Sequence, residues 1–591
     1  MSKINKLCHI LEICKNSSKK KLLSFKKNNS EWISFSSQEF YYNSFYFACG
    51  LREIGLKNGD KIGIFSYQNP IWIIVDMGSI LAGAVTVPIF YNISENNLLY
   101  QIKDSDLKYI FSDNILPIEK SDFSKINLLE NKVSKIVKKI ITFDFDIKDG
   151  CNFDYVIKIG KEAAEMSKYS FKDFCDNINE DDLATIIYTS GSTGNPKGVA
   201  LSHKNLSSQI NDTATRFILD SNLDKALSFL PLAHVFERMV MMFYITKQIE
   251  IYFVDNIKNI SQYLKEVRPS LMTVVPRLLE KVYSKIKDGV ETSSFLKRTI
   301  AKLALKRALK KNIDISDKFF DKIYRNLIYK KFLGAFGGSM KMIICGGASL
   351  SSEMEKFFIN IGINLYCGYG LTETSPVIAV NYPNNYRFAT VGKIYPSLKV
   401  KIADDSELMV SGDGVMIGYY NDKERTREVF DGLWFKTGDL AQIDEDGYLK
   451  IIGRKKELFK TANGKYVRPV PIEQKLVQEF GFLSGAIIIA ENRNFVSCLL
   501  FPDFENLSKI KKTLSFDGAE EYFLSSNILL NHVKNIIDKI NLNLDHHENI
   551  QKFHIVNENI SIANGDITPS MKLRRSILEE KYKEIIKDFY Q

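Results

Sequence analysis

Along the chain, short and wholly apolar runs alternate with longer stretches in which apolar side chains recur every three or four positions. Lys61–Phe65, Val85–Phe90 and Tyr109–Phe111 are runs of the first kind, and Phe40–Ile54 is of the second. Continuous apolar runs fit strands covered on both faces, and strands alternating with helices predict a parallel sheet in an α/β fold. Ile71–Tyr91 is apolar for about the length of a membrane span, but Asp76 and Pro88 interrupt it. It reads as a buried helix that turns at Ala82-Gly83-Ala84 into the strand Val85–Phe90, so no transmembrane anchor is predicted. The lysine-rich stretch Ser121–Gly160 has weak periodicity and reads as an insertion or an irregular surface segment.

Three later strand-like runs open directly into small residues. Leu183–Ile187 leads into Tyr188-Thr-Ser-Gly-Ser-Thr-Gly-Asn-Pro-Lys-Gly-Val199, Met342–Cys345 into Gly346-Gly347-Ala348, and Leu365-Tyr366-Cys367 into Gly368-Tyr369-Gly370-Leu371-Thr372-Glu373-Thr374. In open α/β sheets, ligands bind beyond the carboxyl ends of the strands, where such turns collect. Leu296–Lys311 and Phe319–Phe332 have apolar residues at helical spacing with lysine and arginine opposite. A basic amphipathic helix of this kind either lies on an anionic membrane or presents an ordinary solvated face.

At 591 residues the chain exceeds the size at which one core keeps growing, so at least two domains are expected. With 45% hydrophobic and 25% charged residues it has a globular composition. The net charge of +10 admits an anionic partner, but abundant Lys, Asn, Ile, Phe and Tyr also point to a general compositional bias. Eight cysteines without a Cys-x-x-Cys pair are expected as free thiols in a reducing compartment. Seven scattered histidines show no metal-ligand spacing with them, and no structural zinc is expected.

The richest chemistry lies in the stretch after Leu183–Ile187. Gly191, Gly194 and Gly198 let backbone N–H groups converge on an anion; Thr189, Ser190, Ser192 and Thr193 add hydroxyls, and Lys197 adds a positive charge. A Walker loop places glycine before its lysine and Ser or Thr after it, whereas Lys197 follows Pro196 and precedes Gly198, which disfavours an ordinary P-loop NTPase. In the third stretch Tyr369 offers a stacking face, Thr372 a donor to phosphate, and Glu373 a hard oxygen ligand suited to Mg²⁺. Asp439, in Trp434-Phe-Lys-Thr-Gly-Asp-Leu440, is either an acceptor for a ribose diol or a turn aspartate capping its own backbone. His234, in Phe229-Leu-Pro-Leu-Ala-His-Val-Phe-Glu-Arg238, is on position alone a core histidine with one hydrogen bond.

Thr189–Gly198 resembles the phosphate-binding signature of the adenylate-forming superfamily, and Gly346–Ala348, Gly368–Thr374, Asp439 and Gly453-Arg454-Lys-Lys-Glu-Leu458 follow in that family's order. The resemblance extends from Tyr188 to Lys572, and the wording of Leu230–Arg238 and Gly453–Pro469 is most similar to bacterial long-chain fatty acid–CoA ligases. It implies a large N-terminal domain (residues 1–455) of α/β sheets plus a small barrel, and a small mobile α+β domain (456–591) hinged at Lys456. It implies nucleotide contacts from Thr189 to Gly194, from Lys197, from Gly346, Gly347 and Ala348, from Gly368, Tyr369 and Gly370, and from Asp439 and Arg454. It further implies Lys572, in Thr568-Pro-Ser-Met-Lys572, as the catalytic lysine beside Thr372 and Glu373, with Glu373 on Mg²⁺. His234 becomes an acyl-pocket gate, and Gly464 of Ala462-Asn-Gly-Lys-Tyr-Val467 borders the pantetheine tunnel.

The activity so implied is activation of a fatty acid by ATP to acyl-AMP, then transfer to coenzyme A. An acyl–acyl-carrier-protein ligase shares the first half, and a non-catalytic nucleotide or lipid binder would keep only the fold. Glu373, Asp439, Arg454 and Lys572 together argue against the binder. A luciferase-like oxygenase or peptide-synthetase domain is a weaker reading, with no carrier domain expected after Gln591. No tryptophan gate stands near His234, which leaves chain-length preference open. The expected partners are fatty acid, ATP and coenzyme A, with no nucleic acid, in a cytoplasmic enzyme whose basic helices either present a solvated face or touch the membrane peripherally.

Overall fold

The computed structural model describes residues 3–26, 31–113, 122–147, 150–189, 195–309, 324, 328–455, 458–561, 564–568 and 573–591. Two large sheets are built from strands before residue 395, with the one later strand Gly418–Tyr419 added to the second. The first has nine strands, in the order Lys393–Ile394, Val377–Val380, Asn364–Gly370, Met342–Cys345, Leu271–Val274, Lys225–Ser228, Glu250–Phe253, Leu23–Lys26 and Trp32–Phe35. The second has eight, in the order Gly418–Tyr419, Lys197–Ser202, Leu183–Thr189, Val85–Ile89, Lys61–Phe65, Leu107–Asp113, Lys139–Phe143 and Cys151–Asn152. Parallel pairing runs through the middle of each, as the apolar runs require, and antiparallel strands close the ends nearest the glycine-rich stretches.

The apolar stretch interrupted by Asp76 is the helix Pro70–Leu81. Asn69 caps it by accepting from the Trp72 N–H, Pro70 stands at its first turn, and every residue in it is buried. Asp76 is no interruption: Arg238 Nε donates to its Oδ2 at 2.9 Å and Nη2 to its Oδ1 at 2.6 Å. The same guanidinium donates to the hydroxyls of Thr185 and Thr86, both at 2.8 Å. A buried charge is tolerated only when paired and hydrogen-bonded, and losing one partner costs about 3–5 kcal/mol. This cluster therefore ties the Pro70–Leu81 helix and two strands of the second sheet to the helix Val235–Thr246 that follows His234.

The reading of Ser121–Gly160 as irregular is corrected. Residues 114–121 and 148–149 lie outside the described residues, but the rest contains the helix Asp122–Asn131, the strands Lys139–Phe143 and Cys151–Asn152, and the start of the helix Phe153–Glu165. Phe153 explains the order, because its ring packs against Phe47, Phe111 and Phe143 at centroid distances of 5.4, 6.1 and 5.6 Å. Weak sequence periodicity hid a strand and a helix held by one aromatic cluster. The helix read at Leu296–Lys311 is Phe295–Ala308, and most of Phe319–Phe332 falls outside the described residues.

A five-stranded antiparallel sheet follows, with Leu398–Ile402, Glu407–Gly412, Trp434–Ile443 and Phe430–Asp431 in order, and Leu449–Arg454 also paired with Trp434–Ile443. The last part holds the short hairpin Phe459–Lys460/Tyr466–Val467 and a three-stranded sheet, Leu483–Ile489, Val496–Pro502 and Ile550–Ile555, with helices around it. Its apolar core, beginning at Phe459, is separate from the large core that ends at Leu449. No helix among the described residues is long and apolar enough to cross a membrane.

Candidate active site

Thr189 and Lys197 are register partners on the antiparallel strands Leu183–Thr189 and Lys197–Ser202. Ser190, Gly191, Ser192, Thr193 and Gly194 lie outside the described residues. Thr189 Oγ1, at the end of its strand, is buried and has no hydrogen-bond partner among the described residues. Such an orphaned hydroxyl is what a phosphate oxygen would satisfy.

Lys197 leaves the same strand and reaches across to the first sheet. Its ammonium donates to Glu373 Oε1 at 3.1 Å and to the Tyr419 hydroxyl at 2.7 Å. Glu373 is buried on the short 3₁₀ turn Thr372–Thr374, directly after the strand Asn364–Gly370. Thr372 opens that turn and its carbonyl accepts from the Ser375 N–H at 3.2 Å. The two sheets thus bring a cation and a carboxylate, far apart in sequence, into contact at their glycine-bearing ends.

The strand Asn364–Gly370 continues through Gly368-Tyr369-Gly370, where sequence pattern alone ends it at Cys367. The antiparallel strand Val377–Val380 pairs along this extension and keeps it straight. A Cβ on Gly370 would sit 1.8 Å from the Pro376 carbonyl oxygen, so only glycine lets the Thr372–Thr374 turn fold back there. Tyr369 donates its hydroxyl to Asp439 Oδ2 at 2.5 Å. Burial, with the neighbouring carboxylate, pushes this phenol well above its ordinary range, so the tyrosine is the donor.

Asp439 is not a turn residue. It lies in the strand Trp434–Ile443, 3% exposed, opposite Arg454 in register, and Arg454 Nε donates to its Oδ1 at 3.0 Å. A capping role is excluded by that placement, and Tyr369, Asp439 and Arg454 form one connected chain. Glu407 supports it by accepting the Gly438 N–H at 2.9 Å with Oε1 and the Lys455 ammonium at 2.9 Å with Oε2.

His234 caps the helix Val235–Thr246, its Nδ1 accepting from the Phe236 N–H at 3.3 Å. The Phe236 ring lies against Gly346, where an added Cβ would meet it at 3.1 Å, so the helix that His234 caps borders the first glycine of Gly346-Gly347-Ala348. Glu237, the next turn in, is buried and accepts from Ser228 Oγ at 2.6 Å and Thr273 Oγ1 at 2.5 Å; burial raises its carboxyl to about 7.

Lys456 and Lys572 lie outside the described residues. The bridge Ile567↔Leu573 brackets the segment that carries Lys572. Gly464 sits in the tight turn between Phe459–Lys460 and Tyr466–Val467, its N–H donating to the Thr461 carbonyl at 2.9 Å. The helix after that turn, Pro469–Phe480, touches the large part of the molecule: Gln474 Nε2 donates to the Ser349 carbonyl at 3.0 Å and Gln478 Nε2 to Glu353 at 2.6 Å.

Sequence reasoning missed Tyr419 and the Asp76–Arg238 pair. A lone aspartate inside a wholly apolar helix demands a buried cationic partner, and Arg238 stands in the other apolar helix with that requirement. No comparable signal marks Tyr419. Among the described residues no three His, Cys, Asp or Glu side chains cluster as a metal site. A single carboxylate such as that of Glu373 is a donor of the kind Mg²⁺ takes when substrate phosphates complete its coordination.

Residues 13–420 match the AMP-binding enzyme family, and residues 457–591 match the AMP-binding enzyme C-terminal domain. Long-chain-fatty-acid–CoA ligase FadD15 of Mycobacterium bovis is 31% identical over 557 residues, covering 92% of this chain and 90% of its own length. Long-chain-fatty-acid–CoA ligase ACSBG1 of Homo sapiens is 28% identical over 610 residues, covering 96% and 83%. Among solved structures, the adenylation domain of a carboxylate reductase from Mycobacterium chelonae superimposes with a TM-score of 0.74 at 17% identity, over 99% of this chain and 91% of that one. O-succinylbenzoate coenzyme A synthetase from Bacillus subtilis, in complex with ATP and magnesium ion, gives 0.67 at 18% identity, over 96% and 98%. Those two likenesses speak to the fold, which is that of adenylate-forming enzymes. Together with the family matches over both parts of the chain, they establish that this protein belongs to the AMP-binding, adenylate-forming enzyme family.

Proposed function

We propose that the protein is an ATP-dependent long-chain fatty acid–CoA ligase. The observation that carries the proposal is the meeting of Lys197 and Glu373 at 3.1 Å beside the orphaned Thr189 hydroxyl, with Tyr369, Asp439 and Arg454 chained alongside. A phosphate cradle, a carboxylate for Mg²⁺ and an acceptor for a ribose diol are the three things adenylation needs. The long-chain assignment is supported by the names of relatives 28–31% identical over most of their length and by the apolar helix Val235–Thr246 behind His234.

In the first half-reaction the fatty acid carboxylate attacks the α-phosphorus and pyrophosphate leaves. Lys197 and the hydroxyls of Thr189, Ser190, Ser192 and Thr193 hold the phosphates, and Lys572 balances charge as the pentacoordinate phosphorus forms; Glu373 would hold Mg²⁺, which would supply charge neutralisation on the phosphate oxygens. Tyr369 with Gly368 and Gly370 covers the base, Gly346, Gly347 and Ala348 the adenosine side, and Asp439 with Arg454 the ribose. In the second half-reaction the coenzyme A thiol attacks the acyl carbon and AMP leaves. Gly464 then shapes the pantetheine path and His234 the gate to the acyl chain.

Lys572 and Gly464 both belong to the part after residue 455, yet each must serve the same acyl phosphate at a different step. The reading is therefore of two domains, 1–455 and 456–591, with Lys456 as hinge, and it is supported by the separation of the two apolar cores. The reading extends to a cytoplasmic enzyme that touches membrane through the helix Phe295–Ala308. That helix carries five basic and no acidic residues and exposes Phe295 and Leu303. Pyrophosphate release measured over a series of fatty acid lengths, with coenzyme A or acyl carrier protein as acceptor, tests the proposal and separates the two acceptors.

A further inference from the structure

Tyr419 occupies a place that none of the matched motifs explains. Its short strand, Gly418–Tyr419, pairs with the phosphate-loop strand in the register Gly418↔Ala200 and Tyr419↔Val199. The flanking residues hold both sides of the site: the Tyr420 N–H donates to the Gly198 carbonyl at 2.7 Å, and the Met416 N–H to the Glu373 carbonyl at 2.9 Å. The segment is thus stitched by backbone to the lysine strand at one end and to the carboxylate turn at the other. The Tyr419 backbone N–H is fixed in turn by the Thr426 hydroxyl at 2.9 Å.

From this anchorage the Tyr419 side chain, 6% exposed, enters the site. Its hydroxyl donates to Glu373 Oε1 at 2.9 Å and accepts from the Lys197 ammonium at 2.7 Å. The same ammonium lies 4.5 Å from the centre of the tyrosine ring, within the range of a cation–π contact. Burial and the adjacent carboxylate both disfavour the phenolate, so the hydroxyl remains a donor to Glu373. Among the described residues, the side-chain donors that reach the Glu373 carboxylate, Lys197 and Tyr419, both meet it at Oε1.

We infer that Tyr419 is a positioning residue, which fixes the Glu373 carboxylate through Oε1 so that Oε2 is presented to the divalent cation, and which parks Lys197 until a triphosphate draws it away. The inference rests on the reading of Glu373 as the Mg²⁺ ligand. When Lys197 turns to phosphate, Glu373 loses one of its two donors; Tyr419, tied to both strands, stays and keeps the carboxylate from rotating. A carboxylate left to rotate would bind the cation with a penalty in orientation rather than in charge.

The test uses Tyr419→Phe, which keeps the ring, its packing and the cation–π contact and removes only the hydroxyl. Equilibrium binding of ATP by calorimetry is measured on the full chain at a series of Mg²⁺ concentrations, together with the thermal midpoint without ligand. The expected result is about a tenfold rise in the Mg²⁺ concentration needed for half-maximal ATP binding, as for loss of one hydrogen bond to a charged group. The thermal midpoint should move little, and ATP binding without Mg²⁺, where only the Lys197 contact is at stake, should change by less than the Mg²⁺ dependence does. Glu373→Gln is measured in parallel. If Glu373→Gln shifts the Mg²⁺ dependence and Tyr419→Phe does not, the positioning role is wrong while the metal assignment stands. If neither shifts it, the assignment of Glu373 fails and takes this inference with it. A lowered thermal midpoint with unaltered Mg²⁺ dependence would make Tyr419 a packing residue only.

Discussion

Arg454 and Asp439 face each other in register on adjacent antiparallel strands, and the guanidinium holds Asp439 Oδ1 at 3.0 Å while the Tyr369 hydroxyl holds Oδ2 at 2.5 Å. The carboxylate is thereby fixed at both oxygens, and under the proposed function each oxygen keeps a lone pair for a ribose hydroxyl. Arg454 is half exposed, so its bond to Asp439 serves orientation more than stability.

The consequence is that Asp439→Asn should weaken ATP more than it weakens the fold. Loss of a hydrogen bond to a charged group is worth about 1.5–3 kcal/mol, a rise of roughly ten- to a hundredfold in the ATP KM. Steady-state kinetics with ATP varied at saturating fatty acid and coenzyme A check this. An unchanged KM would remove Asp439 from the nucleotide site.

Glu237 predicts a pH dependence. Its carboxyl titrates near 4.5 when free in the unfolded chain and at about 7 in the folded one, because burial penalises the charge. Its contribution to stability is fully present below the unfolded value and is lost as pH rises through the folded value, since the unfolded chain ionises first. At about 1.4 kcal/mol per unit, roughly 3 kcal/mol is lost by pH 8. Glu237→Gln, which can still bond Ser228 and Thr273, should therefore raise the thermal midpoint at pH 8 and change it little at pH 4.5. Asp113, also buried and raised to about 6, leaves a residual slope in the variant. Equal effects of Glu237→Gln at both pH values would contradict the assignment.

Much of this site was legible in the sequence because its residues sit where strands end in small or hydroxyl-bearing residues, a pattern that survives without knowledge of the third dimension. Thr189, Lys197, Tyr369 and Glu373 fall in such runs, and the structure brings Lys197 to Glu373 and Tyr369 to Asp439. Asp439 was ambiguous because its neighbours, Gly438 and the Asp444–Gly447 turn, carry turn chemistry, and only the pairing with Arg454 places it in a strand. Tyr419 was illegible, since its role comes from a cross-sheet register that local pattern does not encode. Ser121–Gly160 misled for a related reason: Phe153 organises it through Phe47, Phe111 and Phe143, and Phe47 and Phe111 lie outside the stretch, where no local period could show them.

The proposed division of labour between the domains separates two variants. Lys572→Ala should abolish ATP–pyrophosphate exchange with fatty acid yet leave thioester formation from supplied acyl-adenylate largely intact. Lys456→Pro, which fixes φ near −65° and removes an N–H, should do the reverse, sparing adenylation and collapsing thioester formation. Loss of both half-reactions in both variants would mean misfolding, and exchange near the unsubstituted level in Lys572→Ala would remove that lysine from the chemistry.

The most direct measurement is pyrophosphate release by the purified full chain with Mg·ATP and saturated fatty acids from acetate upward, in the presence of coenzyme A, with acyl-CoA quantified in the same samples. Each buried methylene is worth about 0.8 kcal/mol, so kcat/KM should climb steeply with chain length into the long-chain range, with one acyl-CoA formed per pyrophosphate. A preference for acetate or an amino acid, or pyrophosphate release without acyl-CoA, would contradict the assignment as a long-chain fatty acid–CoA ligase.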